Sequence, residues 1–130
     1  MTTGIASGVA NSLVNALTRA TNYTAPTAFW VKLHTGDPGS AGTSLAAGNT
    51  TRQQATFSAA ASGSGTTSAD ITWTNVSTSE TYSHVSFWDA SSAGNFIGSA
   101  ALTSSRAVVA GDSFTIATGS LTLSLTPIAA

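Results

Sequence analysis

The sequence contains no cysteine, which removes disulfides, thiolate metal sites and cysteine nucleophiles together. Charge is scarce as well, at 7% of residues against roughly a quarter in an average soluble domain. The four basic residues, Arg19, Lys32, Arg52 and Arg106, are scattered and form no patch for phosphates, so a nucleic-acid partner is not expected. No run approaches the roughly 18 apolar residues that would span a bilayer, so no membrane segment is expected. The N-terminus lacks the basic start and compact apolar stretch of a secretory signal, and the chain is expected to be made in a cytoplasm.

Phosphate-binding glycine signatures are missing too: neither the P-loop nor the dinucleotide pattern occurs. There is no G-x-S-x-G elbow, and His34 and His84 have no metal-ligand spacing. The five carboxylates, Asp37, Asp70, Glu80, Asp89 and Asp112, fall mostly beside turns and strand ends, where they bind local backbone amides. No catalytic residue, cofactor site or metal site is assigned, and an enzyme is not expected.

Hydroxyls and small side chains fill the space: 20 Ser, 22 Thr and 23 Ala in 130 residues. Net charge is only −1 and aromatic residues recur along the chain, which argues for order rather than disorder. So few charges give weak protection against association. That favours an assembled state, and a homo-oligomer is expected.

The first twenty residues follow a helical period. Ile5, Val9, Leu13 and Leu17 fall on one face, with Thr3 placed to cap the start and Arg19 in the last turn. Residues 1–22 are therefore assigned as a helical docking arm. From Pro26 onward the period becomes two. Strands are predicted at 28–34, 52–57, 70–75, 82–88 and 95–102, with further ones around Phe114–Ile116 and Leu121–Leu125, the last stopped by Pro127. Gly36-Asp37-Pro38-Gly39 and residues 89–94 are turn signals. Residues 40–51 read as a long exposed loop, and 58–68 as a loop or low-signal strand edge. Short strands with regular turns predict a mainly β fold, an antiparallel sandwich or jelly-roll-like domain over 23–130, one domain overall.

The aromatic residues allow two uses. Trp73 shares a face with Ile71 and is expected in the core. Trp30 and Trp88 lie opposite the better apolar faces of their strands and are expected as exposed aromatic contacts or as partners of the helix.

Several stretches resemble a known family. Tyr23-Thr24-Ala25-Pro26, Val31-Lys32-Leu33-His34-Thr35-Gly36-Asp37-Pro38-Gly39 and Thr51-Arg52-Gln53-Gln54-Ala55-Thr56-Phe57 are similar to segments of small phage and prophage virion proteins labelled tail-fibre-like or minor tail proteins. Residues 80–89, 98–103 and 110–112 resemble the same proteins in the same order, and residues 121–130 resemble members from phages of actinobacteria. The resemblance implies a β-rich virion structural protein without catalytic residues, assembled in the host cytoplasm and contacting other virion proteins. An accessory tail subunit is the expected role. Capsid decoration is the alternative, and a carbohydrate- or receptor-binding module with a host glycan as partner is a second one.

Overall fold

A computed structural model describes residues 3–125. One helix, α1 (Ser7–Thr18), precedes eight strands: β1 (Phe29–His34), β2 (Gln53–Ala55), β3 (Ser64–Thr66), β4 (Ile71–Trp73), β5 (Glu80–Trp88), β6 (Phe96–Val108), β7 (Phe114–Ile116) and β8 (Thr122–Ser124). All strand pairings are antiparallel. The architecture is mostly β and consistent with a sandwich, as the alternating pattern predicts.

One layer is a four-stranded sheet in the order β2-β1-β5-β6. Its register sets Val31 opposite Phe87 and Leu33 opposite Val85, and all four side chains are buried. The second layer contains the pairs β3-β8 and β4-β7. There Ile71 opposes Ile116 and Trp73 opposes Phe114, again all buried. Burying each such side chain stabilises the fold by about 1.5–3 kcal/mol, so this two-sided apolar layer dominates the energetics.

The three pairs β5-β6, β4-β7 and β3-β8 nest around one turn at residues 89–95. Together they form a single long antiparallel ribbon folded over itself. Val76 and Asp112 hold its corner, with Val76 N–H bonded to Asp112 O at 2.9 Å and Gly111 N–H to Val76 O at 2.8 Å. Two irregularities let it bend. Gly119, at φ +81°, lies between the β7 and β8 pairings, and Asp70 holds the neighbouring Thr118. Within β6, residues 102–105 bulge outward between the pairs His84–Ala101 and Tyr82–Arg106. β6 thus runs to Val108, beyond the predicted end at Leu102.

Two low-signal stretches turn out to be structured. Residues 58–68 contain β3, and the hydrogen bonds Ser58 N–Thr66 O and Ser68 N–Thr56 O, both 2.9 Å, tie it to the continuation of β2. The stretch 40–51 is not a free loop. Pro38, Gly42, Ala47 and Asn49 are buried, and Thr35 N–Leu45 O and Ala47 N–Leu33 O bonds lay the segment along β1. Its small residues signal tight packing: a Cβ at Gly42 would lie 2.4 Å from the Phe96 ring. Pro127, the expected stop, lies outside the described residues.

The helix differs from its expected form. Its N-cap is Ala6, without a side-chain cap, so Thr3 does not cap it and Ile5 precedes it. Ser12 and Thr18 hydroxyls bond back to the Gly8 and Val14 carbonyls, a use that competes with helix stability. No residue of α1 is fully buried.

Candidate interaction surface

The exposed edge of β6 is closed by the chain's own N-terminal segment. Ser99 N–H donates to Gly4 O and Ala6 N–H donates to Ile97 O, each at 2.8 Å, which sets Ile5 opposite Gly98. Such a short added strand covers an edge that would otherwise invite foreign strands. Glycine is required at 98 because a Cβ there would stand 2.6 Å from Gly4 O and 3.2 Å from Ile5 Cα.

Beyond this strand, α1 lies over an open end of the sandwich and leaves an apolar cleft of about 540 Å³. Ile5, Val9 and Leu13 line it from the arm, Phe29 and Phe57 from the β1 and β2 side, and Leu123 from β8. Three of the four residues predicted for the docking face are therefore brought together. Leu17 is not: it is 87% exposed, and Val14 is 54% exposed. Ala16 is half-buried, so the face of α1 turned to the sandwich runs through Val9, Leu13 and Ala16 and leaves Val14 and Leu17 outside it. A second cleft, about 480 Å³, separates α1 from the 89–97 turn and is lined by Tyr23, Pro26, Asp89, Asn95 and Phe96.

The outer face of the four-stranded sheet carries a polar core. His34 and Ser86 are fully buried there. Trp88 Nε1–H donates to Ser86 Oγ at 2.7 Å, Ser86 Oγ lies 2.7 Å from His34 Nε2, and His34 Nδ1 lies 2.8 Å from Ser44 O. Since a carbonyl only accepts, Nδ1 carries the proton, and Ser86 donates to the bare Nε2. The imidazole is thereby held neutral, and burial is the main cause that pushes its pKa down. This serine–histidine pair is sealed from solvent, so it offers no approach to a substrate.

The expectation of exposed contacts at Trp88 is corrected by the same face. Trp88 is only 8% exposed. The Arg52 guanidinium lies 4.4 Å from the centre of its ring, and Phe96 packs against it at 5.4 Å. Arg52 also donates to Ala90 O and Ala93 O, both at 2.8 Å, and so clamps the 89–95 turn. Trp30, the cross-strand partner of Trp88, is half-buried. Nothing in the pattern of residues signals the clamp, since Arg52 and Trp88 are distant in the chain.

Each of the five carboxylates accepts a backbone N–H: Asp37 from Gly39, Asp70 from Thr118, Glu80 from Gly48 and Asn49, Asp89 from Asn95, and Asp112 from Val109. Their structural use matches the turn-and-strand-end reading. The Asn95 amide beside Asp89 and the Thr118 amide beside Asp70 hold both carboxyls below the usual range. Among the described residues, no group of three or more His, Asp or Glu gathers to hold a metal ion. Among the described residues, no helix is long and apolar enough to cross a membrane.

The surface on offer is therefore an arm, its seat and hydroxyl-rich strand faces. Residues 4–124 match the family model of the podophage GP4 fiber I protein gp80. The chain belongs to this phage fibre family. No curated protein matches it. Membership places this fibre-family protein in the virion, as a structural component assembled within the host, and it points to a non-enzymatic role.

Proposed function

We propose that the protein is a tail-associated accessory subunit of the virion that docks through its N-terminal arm and works as a homo-oligomer against other virion proteins. The observation that carries this reading is the arm itself. Ile5, Val9 and Leu13 reach only an incompletely filled seat, while Leu17 and Val14 remain exposed. A twelve-residue helix is marginal without tertiary packing. Half-buried Val9 and Leu13 return roughly 1 kcal/mol each, against about 1–2 kcal/mol of backbone entropy per ordered residue. An arm so lightly held gains most from a further surface. The low charge supports the same conclusion, since 7% charged residues leave little repulsion between copies.

Deletion of residues 1–21 tests the proposal. The remaining β domain is expected to fold and to be missing from purified particles. Incorporation at normal copy number would overturn the docking role. Gold labelling of the full chain on intact virions is expected on the tail; label on the head would instead favour capsid decoration. Burial of Trp88 beneath Arg52 weighs against a sugar-stacking platform built from Trp30 and Trp88.

A further inference from the structure

We infer that the arm is exchanged between copies: Gly4–Ala6 and α1 of one chain occupy the β6 edge and apolar cleft of a neighbouring copy. The inference rests on the docking-arm reading and names its acceptor. The seat and the connection leading to the arm both support it. The seat is shaped for a closely approaching backbone, because Gly98 admits the Gly4 carbonyl where a side chain would collide with it. A second copy offers an arm of identical sequence, so exchange reproduces the Ser99–Gly4 and Ala6–Ile97 hydrogen bonds without new chemistry.

The connection is also built for release. Residues 19–27 are all exposed, and among the described residues none from 20 to 27 forms a backbone hydrogen bond. At the end of α1, Ala20 takes φ +53°. That left-handed position is costly for a residue with a Cβ, and glycine usually fills it. Exchange also doubles nothing in the seat: each cleft still receives one arm, and each copy is tied to another.

A photo-crosslinking residue at Leu13 in the full chain tests the exchange, both in purified protein at high concentration and in particles. Leu13 faces the cleft, so its crosslinks report whose sandwich it touches. The expected result is covalent dimers and higher multiples of this chain on denaturing gels. In Gly98→Val chains those products should disappear, because the acceptor edge is blocked. Products only at monomer mass, in solution and in particles alike, would overturn the exchange. Crosslinks to a different virion protein would overturn it as well, while leaving the docking-arm reading standing.

Discussion

His34 Nε2 lies 2.7 Å from Ser86 Oγ, with both side chains removed completely from solvent. The hydroxyl accepts from Trp88 and donates to the imidazole, while the opposite nitrogen donates to Ser44 O. A chain of donors in one direction leaves no vacancy for a second proton on the ring. This arrangement ties β1, β5 and the 40–47 segment together, and it depends on neutral histidine.

Acidification should therefore weaken the fold at this point. His34 has its pKa lowered, first by burial, so the native state binds the proton less readily than the unfolded chain does. Its contribution is fully present above the unfolded value of about 6.5 and is lost as pH falls through the lower folded value. Asp70 and Asp89 are also depressed, from a starting value of 3.8, so their contributions fade only in more acidic solution. Denaturant midpoints measured from pH 7 to pH 5 should fall for the wild type. In His34→Gln the slope over that interval should be smaller, with a loss of about 1–3 kcal/mol at pH 7. An equal slope in both chains would refute the assignment.

The Tyr82 hydroxyl is the one buried side-chain polar atom without a hydrogen bond of good geometry among the described residues, although the Asn49 and Glu80 side chains lie near it. Its ring packs edge-on against Phe114 at 5.1 Å, so the aromatic body has a clear structural use. Burial, then the nearby Glu80 charge, pushes its pKa up. Leaving such an oxygen unsatisfied costs on the order of 1–3 kcal/mol. Tyr82→Phe should accordingly be neutral or stabilising by up to about 1 kcal/mol in denaturant unfolding. A loss above that size would show that the hydroxyl has a partner in solution.

The apolar alternations at Phe29-Val31-Leu33 and Ile71-Trp73 were readable because period two maps directly onto one sheet face. The helix was readable from its spacing, but Ile5 was misplaced: a residue pairing with an edge strand can share the helical period by chance. β3 was only half-visible because Ser64-Gly65-Thr66 carries no apolar signal and is held by backbone pairing to β8 and the Ser64–Ser124 hydroxyl bond of 3.0 Å. The polar core failed to show for a different reason. His34, Ser86 and Trp88 alternate as an exposed face should, and their burial comes from distant segments: residues 40–47 return over His34, while Arg52 and Phe96 cover Trp88. The same long-range packing hid the Arg52 clamp and the seat at Gly98.

Arg52 should control the 89–95 turn. Its guanidinium satisfies two carbonyls, Ala90 O and Ala93 O, while covering Trp88. Both bonds leave from Nη1 while the flat guanidinium lies over the Trp88 ring, and lysine keeps the charge but has no planar group to stack there. Arg52→Lys should lower stability by about 1–2 kcal/mol and speed exchange of the hydrogen-bonded Asp89 and Asn95 amides relative to the β4–β7 pair. Unchanged exchange at those amides would remove the clamp from the account.

The boundary between arm and sandwich should be visible to trypsin, because the four basic residues differ sharply in access. Lys32 lies in the middle of β1, paired with Ser86, and Arg52 is engaged with the turn carbonyls. Arg106 is exposed but sits in a paired stretch of β6 opposite Tyr82. Arg19 alone combines exposure with a following segment that is exposed throughout to residue 27. Proteolysis requires local unfolding of several residues, which costs least there. The first cut should fall after Arg19 and release a β fragment that begins at Ala20 and resists further digestion. An initial cut after Arg52 or Arg106 would mean that the sandwich opens before the arm does, and that α1 is bound more firmly than its half-buried Val9 and Leu13 allow.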